Sequence, residues 1–158
     1  MIDTEDIDGE RVNLNEVLEK HTGVLLDFFR GSWWTHWLKH LTYLTENLDK
    51  LKELNVKLIS IAIDPPDELI KMENKNNFKI QFVADRAGRL SKAYNVLSKA
   101  YDDFLDKNTT GHDRAQISNA IPSKFLINRE RNIVWQYIEE KTDRPTIELI
   151  VKSIENHL

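Results

Sequence analysis

Val24-Leu25-Leu26-Asp27-Phe28-Phe29-Arg30-Gly31-Ser32-Trp33-Trp34-Thr35-His36-Trp37 is the stretch on which the fold turns. Residues 24–29 are short, apolar and aromatic, as a buried strand is. Arg30-Gly31-Ser32 breaks that run, and the period then changes. Trp34, Trp37, Leu38, Leu41, Leu44, Leu48 and Leu51 step by three and four, which is one apolar stripe of a 3.6-residue repeat. Glu46, Asp49, Lys50, Lys52 and Glu53 lie off the stripe. The pattern predicts one helix from Trp34 to about Leu54, roughly 30 Å long.

Upstream, residues 10–14 fit a short edge strand, and Asn15 fits an N-cap for helical turns over 16–20. Downstream, residues 56–63 form a second strong strand, stopped by Asp64-Pro65-Pro66. Pro at a first helical position favours a helix over 66–76. Residues 80–84 predict a shorter strand, 85–88 a turn and 89–94 a short helix. Residues 98–119 are polar, centred on Asn108-Thr109-Thr110-Gly111, and predict a long surface loop. Residues 123–127 and 133–138 flank the polar Asn128-Arg129-Glu130-Arg131-Asn132 and predict a hairpin. A last helix from about Pro145 has Ile147, Ile150, Val151, Ile154 and Leu158 on its apolar face. The alternating first half implies parallel strands with crossover helices, and the hairpin adds antiparallel ones. The expected class is α/β, a central mixed sheet flanked by helices on both faces, in one domain over 1–158.

At 158 residues the chain is the size of one domain and can bury its own core. With 22 Lys and Arg against 26 Asp and Glu, the net charge of -4 lacks the electrostatic footprint of a nucleic-acid binder. No apolar run approaches the ~20 residues of a membrane span. The start, Met1-Ile2-Asp3-Thr4-Glu5-Asp6, is acidic where a signal peptide is basic and then apolar, so a cytoplasmic location is expected. Cysteine is absent. That excludes disulfides, thiolate nucleophiles, Cys-ligated zinc and iron–sulfur clusters. P-loop, dinucleotide and G-x-S-x-G motifs are missing too, and no cofactor is implied.

Four local sequences, in this order, resemble the peroxiredoxin-like family of alkyl hydroperoxide reductases and thiol-specific antioxidants, which has the thioredoxin fold. Phe28-Phe29-Arg30-Gly31-Ser32-Trp33 is similar to F-Y-R-G-x-W, which many relatives carry before C-P-x-C. Ser60-Ile61-Ala62-Ile63-Asp64-Pro65-Pro66 resembles S-x-D-x-P after the second strand. Ala120-Ile121-Pro122-Ser123-Lys124-Phe125-Leu126-Ile127 resembles the cis-proline strand, and Asp143-Arg144-Pro145 the opening of the last helix in one subgroup. The resemblance implies a structural Trp33 and a cis Ile121–Pro122 bond.

The resemblance also places the family's C-x-x-C on Trp34-Thr35-His36-Trp37, so tryptophan stands at both cysteine positions. A cysteine at a helix N-terminus has a lowered pKa, and its thiolate attacks peroxide or disulfide. Indole has no such nucleophile. The arginine that peroxiredoxins carry near Pro122 is absent as well. Met1 and Met72 cannot cycle through a disulfide. The family positions Trp34, Thr35, His36, Trp37 and Pro122 therefore imply a member without thiol peroxidase activity, acting as a binding or regulatory module. Two readings of the indoles stand. They fill the emptied pocket, as aromatics on a helical stripe ordinarily do. Or Arg30, Trp34 and Trp37 present a binding surface for a protein partner or a second copy. An oxidoreductase working through a partner's cysteines or a non-thiol centre is the alternative. His36 and His40, at i and i+4, could share one metal, with His21 and His112 as distant candidates. As solvated surface histidines they would carry no metal, and no metal site is assigned. Arg144 is expected to pair with a carboxylate.

Overall fold

The structure, a computed structural model, describes residues 2–32, 35–98, 120–139 and 144–158. Its elements in chain order are β1 (Asp3–Glu5), β2 (Arg11–Asn13), α1 (Leu14–Lys20), β3 (Gly23–Phe28), α2 (Thr35–Glu46), α3 (Leu48–Glu53), β4 (Val56–Ala62), α4 (Pro66–Asn76), β5 (Gln81–Ala84), α5 (Arg89–Ala93), β6 (Ser123–Asn128), β7 (Ile133–Ile138) and α6 (Ile147–His157). Five strands form the central sheet in the order β5-β4-β3-β6-β7. β3, β4 and β5 are parallel, while β6 and β7 run antiparallel to their neighbours. This is the mixed sheet expected, built by crossovers first and a hairpin last.

Side chains alternate across a strand, so β3 serves two layers. Val24, Leu26 and Phe28 pack with Leu14 and Leu18 of α1 and with Val96. Leu25 and the following Phe29 face the other way, with Trp37, Leu41, Leu44, Ile150 and Ile154. The same alternation turns Asp27 toward the layer of α2 and α6. Leu58 of β4 and Leu126 of β6 belong to that layer, so Ser60 and Lys124 point there as well.

The structure departs from the expectations at several places. The long helix is two helices, broken at Asn47. The Asn47 side-chain amide donates to the Tyr43 carbonyl at 2.8 Å, and its backbone N–H to Leu44 at 3.1 Å. Asparagine thus takes backbone acceptors that a continuing helix would use. The cap of α1 is Asn13, not Asn15. Asn13 has the extended backbone a cap needs, and its Oδ1 accepts from the N–H groups of Asn15 and Glu16. β1 has no counterpart in the sequence reading. It pairs antiparallel with β2 and buries Ile2 at its edge. An Asx turn closes the pair, with Asp6 Oδ1 accepting from Asp8 and Glu10. The Ile121–Pro122 bond is trans, contrary to the resemblance. Ile121 is held by donation to the Val96 carbonyl at 2.8 Å, and the Pro122 carbonyl accepts from Glu139 at 2.9 Å. The predicted loop, from residue 99 onward, lies outside the described residues, as do Trp33, Trp34 and Asp143. Among the described residues no helix is long and apolar enough to cross a membrane.

Candidate functional site

β3 ends at Phe28, and the chain passes through Phe29-Arg30-Gly31-Ser32 into α2. This loop is tied down from β4. The Phe29 N–H donates to Ile61 at 3.0 Å. Just past β4, the Asp64 carboxylate accepts from Ser32 twice, from its N–H and its hydroxyl, each at 3.0 Å. Burial pushes the Asp64 carboxyl above the usual carboxylate range, and the Ser32 hydrogen bonds pull against that rise. Arg30 is half-buried in the same loop.

Trp37 occupies the first turn of α2 and points inward, with 2% of its surface exposed. Its ring stacks on Phe29, centroids 6.0 Å apart and planes 2° from parallel. The His40 imidazole tilts against it at 4.9 Å. Two cations lie over the indole: Lys124 Nζ at 5.3 Å and Arg144 Cζ at 4.8 Å from the ring centroid. Both are within the ~6 Å over which a ring quadrupole attracts a cation. Arg144 also donates from Nη1 to the His36 carbonyl at 2.5 Å, which joins the start of α6 to the first turn of α2. The contacts described for Arg144 are thus an indole face and a carbonyl, and the expected carboxylate partner is not among them. A planar guanidinium serves both geometries where an ammonium would serve one.

Beneath the indole, Asp27 and Lys124 stand opposite each other on β3 and β6. They form an ion pair with side chains 0% and 1% exposed. Ser60, opposite Asp27 on β4, donates its hydroxyl to the second carboxylate oxygen at 3.0 Å. The three strand neighbours therefore satisfy one another in the interior. The sequence reading missed all three. The signal was present, because one Asp and one Lys interrupt otherwise apolar strands, and a buried charge requires a partner.

His40 is 5% exposed and sits near Lys124 and Arg144. Burial first, then those two cations, lower its pKa to about 2. The ring is neutral at any ordinary pH. His36, four residues earlier, is exposed. The two histidines expected on a shared face thus lie in different surroundings, and a metal ion at His40 would meet two fixed positive charges. His21 is at the far end of β3, bonded to Asn55, and His112 lies outside the described residues. Among the described residues no three His, Asp or Glu side chains are grouped to hold a metal.

Among the described residues, Trp37 Nε1, His40 Nε2 and Arg144 Nε are buried without a hydrogen-bond partner. Such groups carry a desolvation cost, which here is borne next to the position where the resemblance puts the second cysteine. The site contains aromatic area, the cations of Lys124 and Arg144 over the indole, and the carboxylates of Asp27 and Asp64. It contains no thiol, and its buried imidazole, that of His40, is held neutral.

Residues 2–136 match the model of the AhpC/TSA family. The thiol-disulfide oxidoreductase ResA of Bacillus thuringiensis strain Al Hakam is 25% identical over 138 residues, 87% of this chain. The chain spans 65% of the length of that relative. ResA of Bacillus cereus strain ATCC 10987 is 24% identical over 148 residues, 93% of this chain and 71% of the relative. Peroxidoxin BcpB of Mycobacterium tuberculosis superposes with a TM-score of 0.78 at 15% identity, covering 98% of this chain and 92% of its own. Enterococcus faecalis AhpC gives 0.78 at 19% identity, covering 99% and 88%. These superpositions show the shared thioredoxin fold.

Proposed function

The chain belongs to the AhpC/TSA family, and we propose that within it this protein binds rather than turns over peroxide or disulfide. The observation that carries this reading is Trp37. It stands in the first turn of α2 in a chain with no cysteine, and its indole is buried between Phe29 and two cations. Thiol chemistry needs a thiolate that can reach its target. Here an inert ring fills the interior at that point.

This burial also revises where binding occurs. Trp37 is not available as a docking residue, so the earlier expectation of a surface made from Arg30, Trp34 and Trp37 loses one of its three members. Thr35 and His36 are the exposed residues of the same turn, and Arg144 anchors α6 against it. We assign the partner-binding surface, for another protein or a second copy, to this end of α2. The rigid core beneath it supports the assignment, because binding surfaces work best on pre-organised elements.

The test has two arms. Hydrogen peroxide and a model disulfide are offered with a thiol reductant, and consumption is compared with a no-protein blank. Equality with the blank is expected, and turnover above it contradicts the reading. Sedimentation over a range of concentrations then compares the parent with His36→Glu. Self-association weakened by the substitution identifies a second copy as the occupant. The ResA relatives favour one alternative, an oxidoreductase that borrows a partner's cysteines. Disulfide turnover appearing only when a thiol protein is added would establish that alternative.

A further inference from the structure

At the opposite end of the sheet the structure has a cavity of about 320 Å³. The register fixes its place. Gly23 pairs with Val56 where β3 and β4 begin, and Phe28 pairs with Ile61 where β3 ends beside α2. Val56, Lys57 and Leu58 line the cavity, so it opens away from Trp37. Its size is at the small end of the ~300–1,000 Å³ typical of small-molecule sites.

The lining divides by chemistry. Leu51, Val56, Leu58 and Ile80 supply an apolar floor, each 5% exposed or less. Lys52 and Lys79 bring two lysines to the rim, and no carboxylate is among the lining residues; Lys57, opposite Val24 on β3, turns its side chain to the other face of the sheet. Lys52 shares its charge with Asp49 at 3.5 Å. No carboxylate lies within ion-pair distance of Lys79 among the described residues. Two lysines on a rim without a carboxylate oppose the sign of a chain whose net charge is -4. Like charges held together repel, and a bound anion relieves the repulsion. The wall at the His21 side is fixed. His21 Nδ1 meets Asn55 Oδ1 at 3.2 Å, and the Thr22 N–H donates to the Asn55 carbonyl at 2.9 Å. Asn55 holds a left-handed turn, φ 54°, between α3 and β4, a conformation asparagine tolerates well.

We infer that this cavity binds a small amphipathic organic anion, with its apolar body on the Leu51–Val56–Leu58–Ile80 floor and its carboxylate or equivalent headgroup at Lys52 and Lys79. The site shares no residue with the proposed docking surface and stands or falls independently of it. An apolar floor alone would take a neutral molecule, and surface lysines alone would take any anion. The combination selects for both parts.

Octanoate is the probe, followed by amide chemical shifts in the full chain. Octanol and octylammonium are run in parallel. Saturable shifts are expected at residues 55–58 and 79–81. Octanoate should bind up to about fivefold more tightly than octanol, the ratio that one screened charge pair gives. Raising the salt should weaken octanoate and leave octanol unchanged. The double substitution Lys52→Gln with Lys79→Gln should remove the preference for octanoate while the spectrum stays dispersed. No saturable shift at these amides, equal binding of octanol, or a preference unaffected by both salt and substitution overturns the inference. The salt and octanol arms use the unaltered chain, so they decide the matter even if the double variant fails to fold.

Discussion

Asp27 and Lys124 face each other across β3 and β6 as an ion pair that water does not reach. Ser60 completes the shell from β4. Charges are costly to bury, and such a pair is sustained only when every remaining polar valence is met. The pair joins the centre of the sheet to the plug above it, because the same Lys124 ammonium lies over the Trp37 ring.

Removing one member of the pair should therefore be much worse than removing both. Lys124→Met should cost about 3–5 kcal/mol, since it leaves the Asp27 carboxylate buried and unpaired. Asp27→Leu combined with Lys124→Met should recover most of that loss. Urea unfolding of both variants and the parent checks this. Equal losses in the single and double variants would contradict it.

His40 makes stability depend on pH. Its ordinary pKa is 6.5, and in the folded protein it is about 2. Between these values the unfolded chain holds one proton more than the folded one, so acid favours unfolding. The contribution is fully present above pH 6.5 and is lost progressively as pH falls toward 2. Between pH 6.5 and 5 the loss should be about 2 kcal/mol. His40→Leu should flatten that part of the profile, measured by denaturant unfolding at several pH values. Parallel profiles for parent and variant would refute the assignment.

Arg144 should act as the outer cover of Trp37. Arg144→Ala removes the cation over the indole and the bond to the His36 carbonyl. A loss of about 1 kcal/mol is expected, together with a red shift of tryptophan emission. Arg144→Lys should restore only part of it, because an ammonium cannot lie flat on the ring and reach the carbonyl in the same geometry. Full rescue by lysine would show that charge alone matters.

Gly23 should tolerate no side chain. A Cβ there would stand 2.6 Å from Leu158 Cδ1 and 2.9 Å from the Ile127 carbonyl oxygen. The leucine tip can move, but the carbonyl belongs to β6 and cannot. Gly23→Ala should cost about 1–3 kcal/mol, the usual range for overpacking. Thermal unfolding reads the loss, and Leu158→Ala in the same chain should relieve only part of it.

The central layers were legible because their signals were local. The apolar runs at 24–29 and 56–63 and the three-four stepping after Trp34 each fix an element without outside help. The helix over Pro66–Asn76 was readable from its proline and its length. What escaped depends on partners distant in sequence. Asp27 becomes meaningful only when β6 brings Lys124 opposite it, 97 residues later. The break at Asn47 depends on one side chain competing for the Tyr43 carbonyl, inside a stripe that continues through Leu48 and Leu51. β1 was hidden because it is three residues long and Asp3, Thr4 and Glu5 are all polar. The state of Pro122 was carried over from the resemblance and not from any residue nearby, and that is where it failed. At the site, the identities of Trp37 and His40 were plain, but their burial was set by Phe29, Lys124 and Arg144 arriving from three other parts of the chain.

The most direct measurement is acrylamide quenching of tryptophan fluorescence in the parent protein and in Trp37→Phe. The difference isolates Trp37 from Trp33, Trp34 and Trp135. A plugged site predicts that the Trp37 component is blue-shifted and nearly unquenched. A Trp37 component quenched as readily as free indole would mean that the ring faces solvent, and the account of a filled, thiol-free site would be wrong.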